Sequence, residues 1–179
     1  METAAQCVAY DFNIDHAVPL EDTISYGDLG RKVGLSEKRV RSIVRGCILN
    51  KIFSEPVAGE VAHTSSSALL VHSPTTRDMY GHYLGDSFPV ASKLSQALKQ
   101  YPDSTSAKET AFNIAFGTDM TVFEYAGTRK DLRDRFIGAM DGLGNLVGYS
   151  LDHIVHGFDW GKLNEGSKVV DVCRTVPFS

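Results

Sequence analysis

No stretch of this sequence approaches the roughly 20 consecutive apolar residues of a membrane span. Its first residues, METAAQCVAYDFNID, carry acids where a secretory leader would carry bases. The three cysteines, Cys7, Cys47 and Cys173, are odd in number and far apart, and no C-x-x-C pair occurs. Neither a disulfide framework nor a zinc knuckle is therefore indicated. Basic charge is also short: the net charge of −4 argues against a dedicated nucleic-acid binder, which presents a basic field. Together these absences point to a soluble protein of a reducing compartment, with the cytoplasm as the expected location.

What is present reads as globular. Hydrophobic residues make up 42% and charged residues 22% of the 179-residue chain, close to the soluble average, so wholesale disorder is excluded. That length can bury one real core. No internal repeat or low-complexity segment occurs.

Periodicity predicts mostly helices. Ala4, Ala5, Val8, Ala9 and Phe12 fall at helical spacing and give a first helix that ends before Pro19. Ser25 with Asp28 resembles a capping box and starts a helix to Val33, stopped by Gly34. Ser36 caps the next, with Val40, Ile43, Val44, Cys47 and Ile48 on one face and Lys38, Arg41 and Arg45 on another. The stretch KIFSEPVAGEVAHT holds two β-prone pieces around Phe53 and Val61, separated by Pro56 and Gly59, and reads as a hairpin. Helix, turn, helix and hairpin describe a winged helix.

Beyond it, Ser65 is placed to cap a helix through Leu69 and Leu70. Pro89 sits in the first turn of another that carries Val90, Leu94, Ala97, Leu98 and Tyr101. YPDSTSAKET is a polar surface loop. AFNIAFGTDMTVFEYAG is apolar and aromatic, broken at Gly117. Thr128 is expected to cap a helix with Leu132, Phe136, Ala139, Met140 and Leu143 buried, and Ser150 to begin a further turn or two through Ile154 and Val155. Lys168 to Val172, KVVDV, looks like a buried strand.

In order and spacing, ISYGDLGRKVGLSEKRVRSIVR, EPVAGEVAHTSSSALL, TAFNIAFGTDMTVFEY, RFIGAMDGL, GYSLDHIVHGFDW and the final VVDV resemble the S-adenosylmethionine-dependent O-methyltransferases of the caffeic-acid type, especially their fungal secondary-metabolism branch. The resemblance spans almost the whole chain and covers only the amino-terminal part of the family's pattern. It implies a mainly α fold: a winged-helix dimerisation domain plus a helical bundle, with a short β-hairpin wing and one orphan terminal strand of a missing Rossmann-like domain. The corresponding segments are residues 1–105 for dimerisation, 106–167 for a helical linker and substrate wall, and 168–179 for the first strand of the methyltransferase domain with an unrelated tail.

In the family V-V-D-V runs into a G-G-x-x-G turn, because only residues without a Cβ let the backbone approach the cofactor closely. Here Val172 is followed by Cys173, Arg174, Thr175, Val176, Pro177, Phe178 and Ser179, with no glycine. The ribose-gripping acid and the catalytic histidine of the family belong further downstream. The chain reads as an interrupted enzyme that is inactive by itself, or else as a stand-alone half-protein. No cofactor is expected on it, while the intact family member uses S-adenosyl-L-methionine. Family members also carry further helical sequence ahead of residues 4–18.

The resemblance further implies that Phe112, Phe116, Met120 and Phe123 form part of a wall around an aromatic or polyketide-like substrate. Phe136 and Met140 match positions that lie against the substrate ring near the transferred methyl group. Flat apolar rings and a polarizable thioether suit that contact, though both also suit ordinary helical core. As partners it implies a homodimer, or a heterodimer with a full-length relative. The alternative function is a winged-helix DNA-binding module read through Lys38, Arg41 and Arg45. His153 and His156 stand at metal-sharing spacing, but no acid or cysteine completes a site. Asp152 and Asp159 are accounted for by helix-start and turn chemistry.

Overall fold

The computed structural model describes residues 2–170, and the chain divides into two units, one up to Leu143 and one from Gly144. It is mainly helical, with one small three-stranded antiparallel sheet.

The amino-terminal helix α1 (Glu2–Asp11) ends one turn earlier than its apolar spacing suggests. Asn13 takes up left-handed backbone, φ 51°, and a second short helix, α2 (Ile14–Ala17), carries the chain on to Pro19. Ile14 is fully buried, which accounts for the break: the turn at Asn13 redirects the chain so that Ile14 and Val18 enter the core.

Strand β1 (Ile24–Ser25) leads directly into α3 (Tyr26–Val33). Ser25 caps that helix, its hydroxyl accepting from the Asp28 amide at 3.1 Å. Gly34, at φ 73°, ends it in the left-handed conformation that a side chain would strain. Helix α4 (Glu37–Ile48) follows, with Val40, Val44 and Cys47 fully buried on one face. Strands β2 (Phe53–Val57) and β3 (Glu60–His63) form the hairpin. Its register breaks between Ser54 and Val57, where Pro56 has no N–H to give to a ladder. Strand β3 lies between β1 and β2, pairing Val61 with Ile24 and His63 with Phe53. Ile14, Tyr26, Leu29, Val40, Val44, Phe53 and Val61 make the core that α2, α3, α4 and the sheet share.

Helix α5 (Ser65–His72) is capped by Thr64, one residue before the expected Ser65. The Thr64 side chain accepts from the Ser67 amide, and the Ser67 hydroxyl reciprocates to the Thr64 amide. An element that periodicity did not predict comes next. Helix α6 (Pro74–Gly81) runs on through a widened turn, His82–Ser87, into α7 (Phe88–Ala91). Within the turn the Phe88 amide donates to the Tyr83 carbonyl, five residues back. Pro89 explains the widening, because a proline inside an α-helix lacks its donor and collides with the carbonyl four residues earlier, here that of Gly85. The helix expected from Pro89 to Tyr101 is thus two pieces, the second being α8 (Leu94–Gln100).

The polar loop forms no regular structure before α9 (Ala111–Phe116), which ends at Gly117, φ 61°. Helix α10 (Val122–Thr128) starts on a Thr121–Glu124 capping box. Thr128 closes this helix, its hydroxyl donating to the Tyr125 carbonyl at 2.8 Å, and does not cap the next one, α11 (Lys130–Gly144), which begins after an extended Arg129. Leu132 and Ala139 are buried on α11 as expected, whereas Met140 is 40% exposed.

The second unit holds α12 (Asp152–Gly157) between two single 3-10 turns. Lys168 to Val170 form no strand, and Val170 is 79% exposed. The rest of the expected strand, Asp171–Val172, and the tail lie outside the described residues.

Candidate functional site

The six residues singled out as a wall fall into two groups. On α9, Phe112 and Phe116 pack with ring centroids 4.8 Å apart, and Tyr125 of α10 closes on both at 5.6 Å. Asn113 holds the connection between these helices. Its amide nitrogen donates to the Thr118 and Met120 carbonyls at 2.9 and 2.8 Å, and its oxygen accepts from the Thr110 amide and hydroxyl. Phe112 is buried, Phe116 half-buried, and Met120 and Phe123 face solvent, Phe123 at 63% exposure. Tyr125 and Asn113 were not among the expected residues. The signal for Tyr125 was present, since it closes the aromatic stretch AFNIAFGTDMTVFEYAG, two residues after Phe123.

The second group centres on α11. Phe136 is half-buried, with its ring edge-on to His82 at 5.4 Å and 75°. Met140 lies one helical turn further on. His82 belongs to the widened turn, and its Nδ1 meets Asp86 Oδ2 at 2.9 Å. Arg135, the neighbour of Phe136, donates through Nε to Asp86 Oδ2 at 3.0 Å and through Nη2 to Oδ1. Burial alone would raise the Asp86 carboxyl, but the hydrogen bonds from His82 and Arg135 outweigh it and hold the group below its ordinary range. The same pairing raises Arg135. Here a charged cluster is sunk between helices, and an aromatic ring leans on its outer member.

Close backbone approach brings α6 and α11 together. A Cβ on Gly142 would stand 2.7 Å from the Thr75 carbonyl oxygen, and one on Gly138 would meet the side chain of Asp78.

The basic face of α4 is engaged within the fold. Arg41 bonds Glu37 at 2.7 Å and lies over the Tyr26 ring at 4.9 Å. Arg45 is paired to Glu55, and Lys38 alone of the three stands exposed without such a contact among the described bonds. A helix offered to DNA would leave these cations free for phosphate. His153 donates through Nε2 to the Val147 carbonyl, 2.6 Å away, and no cluster among the described residues could hold a metal. Cys47 is core, its thiol pushed up to about 12 by burial. Among the described residues no helix is long and apolar enough to cross a membrane. Nor do the described residues include a parallel strand running into a glycine turn.

No protein-family profile matches the sequence. Individual proteins do. The O-methyltransferase aurJ of Gibberella zeae is 33% identical over 163 residues, which is 91% of this chain and 37% of that protein. The O-methyltransferase bik3 of Gibberella fujikuroi is 36% identical over 168 residues, 94% of this chain and 37% of its own length. The chain therefore spans well under half the length of these curated relatives, and it corresponds to their amino-terminal part. Among solved structures, OxaC in complex with sinefungin and meleagrin superimposes with a TM-score of 0.75 over 90% of this chain and 40% of its own, at 16% identity. LaPhzM does so with a TM-score of 0.69 over 88% of this chain and 44% of its own, at 20% identity. These two likenesses establish the fold.

Proposed function

We propose that this chain, related over nine-tenths of its length to the amino-terminal part of fungal O-methyltransferases, serves as the dimerisation and substrate-wall part of an S-adenosylmethionine-dependent O-methyltransferase of secondary metabolism. The observation that carries this reading is the continuous match to bik3 through the segment that builds the Phe112–Phe116–Tyr125 cluster. Residues 1–105 act as a winged-helix dimerisation domain, 106–167 as linker and wall, and 168–179 as the entry to the methyltransferase domain. Phe112, Phe116, Met120, Phe123, Phe136 and Met140 line one side of a pocket for a flat aromatic or polyketide-like molecule, where ring faces and a thioether give contact without fixed polarity. No residue of this chain is assigned to the cofactor. Its partner is a second copy or a longer relative.

Grafting residues 1–167 onto bik3 in place of the matched segment tests the reading. The expected result is a dimeric chimaera that methylates an aromatic hydroxyl, with activity reduced at least tenfold by Phe112→Ala or Phe136→Ala and cofactor binding unchanged. A folded, cofactor-binding chimaera in which both substitutions leave substrate KM and turnover alone would overturn it. DNA binding by the α4 face would show instead as salt-dependent duplex affinity lost on Lys38→Ala.

A further inference from the structure

The widened turn between α6 and α7 does more than accommodate Pro89. It places His82 and Asp86 on one side of the rod, so that the imidazole Nδ1 stands 2.9 Å from a carboxylate that is itself 93% withdrawn from solvent. Arg135 occupies both oxygens of that carboxylate. An ionised carboxylate accepts from Nδ1–H, so neutral His82 carries its proton on Nδ1 and presents a lone pair on Nε2. The network therefore fixes the tautomer of a ring that remains partly accessible, with 27% of the His82 side chain exposed against 9% of the Asp86 side chain. An interhelical tie would need only Asp86 and Arg135. The histidine adds an oriented acceptor, and its ring is set edge-on against Phe136.

We infer that His82 is a recognition residue for an aromatic hydroxyl: the ligand ring packs on Phe136 while its O–H donates to His82 Nε2, with Asp86 and Arg135 as positioning residues. This rests on the reading of Phe136 and Met140 as substrate wall. A site that hydrogen-bonds a hydroxyl discriminates strongly against the analogue that cannot donate, because the buried polar group is then left unpaired. The ligand class is a fused aromatic with a free phenolic hydroxyl, and O-methylation of that hydroxyl would abolish the contact.

The test uses the full chain with 2-naphthol and 2-methoxynaphthalene as matched probes, followed by the Met140 methyl resonance and the side-chain nitrogens of His82 in NMR titrations. Both probes are expected to move Met140. Only 2-naphthol should shift His82 Nε2, and His82→Phe should weaken 2-naphthol at least fivefold while leaving 2-methoxynaphthalene unchanged. Asp86→Asn should convert the single Nδ1–H tautomer into a mixture in the nitrogen spectrum, a change that a merely structural tie would not produce. If that variant fails to fold, the two-probe comparison on His82→Phe still decides the hydroxyl contact. Should neither probe reach Met140, the wall reading fails and this inference with it. Equal binding of both probes to wild type and His82→Phe would leave the wall standing and overturn the hydroxyl contact alone.

Discussion

Arg45 on α4 grips Glu55 on β2 through two parallel bonds, Nε to Oε2 and Nη2 to Oε1, each at 3.0 Å. Two further donors complete the site: the buried Tyr26 hydroxyl reaches Oε2 at 2.8 Å and the Gly59 amide reaches Oε1 at 2.8 Å. One carboxylate thus joins the start of α3, the last turn of α4 and the hairpin turn, which fixes the hairpin against the helices.

Those four donors predict an acid-sensitive hairpin. Arg45 first, then the Gly59 amide and Tyr26, lower the Glu55 carboxyl to about 2. A depressed carboxyl stabilises the fold fully above the unfolded value of about 4.3, and that contribution drains away as pH falls toward the folded value. Thermal midpoints of wild type should therefore fall between pH 5 and 2 more steeply than those of Glu55→Gln. Parallel curves would remove Glu55 from the account. At neutral pH Tyr26→Phe should cost about 1.5–3 kcal/mol, the worth of one hydrogen bond to a charged acceptor after solvent exchange.

Much of this helix-and-hairpin region was legible in the sequence. Ser25, Gly34 and the Val40, Val44, Cys47 stripe act as their types and spacing dictate, because caps and apolar faces are local signals. The rod from Pro74 to Ala91 was not legible. Its buried positions are Gly81, packed beneath the Tyr10 ring, Leu84, and Asp86, neutralised by a cation distant in sequence, and a single leucine between two residue types that do not announce burial gives no periodic signal. The site shows the same division. Phe112 and Phe116 came from the family resemblance of the segment that holds them, whereas His82 joins the candidate site only through a widened turn and an arginine on another helix.

Helix approach at the small residues gives a contrast between two glycines. Gly142→Ala would drive a Cβ to 2.7 Å from backbone at Thr75, which cannot swing away as a flexible side chain would. Separation of α6 from α11 should cost about 1–3 kcal/mol. Gly127 on α10 has open space around its Cβ direction, so Gly127→Ala should be neutral or stabilise by up to about 1 kcal/mol. Chemical denaturation of both variants checks this, and a Gly142→Ala midpoint at or above wild type would contradict the packing.

The α9–α10 connection depends on Asn113. Replacing it by alanine orphans the Thr118 and Met120 carbonyls and removes the acceptor for Thr110. The expected cost is about 1–3 kcal/mol, concentrated in this loop. Hydrogen exchange should accelerate at the amides of residues 117–121 while those of α4 stay protected. Uniform acceleration across both regions would mean that the loop does not open independently.

Assembly is the last expectation and follows from what the fold leaves uncovered. On α8 only Ala97 is buried, while Leu94 and Leu98, one turn apart on the same face, are 56% and 61% exposed. On α11, Ile137 and Met140 are 48% and 40% exposed. Exposed apolar side chains clustered on a helix face are the kind of surface that marks interfaces, and a specific dimer buries on the order of 800 Å² per partner. Light scattering should give twice the chain mass at micromolar concentration. Leu94→Glu with Leu98→Glu should shift the species to monomer, and because both side chains are already solvated within one chain, the dilute monomer's own stability should change by less than about 0.5 kcal/mol. A wild type that stays monomeric across a hundredfold range of concentration would refute the dimer, whereas a double variant that remains dimeric would move the interface away from α8.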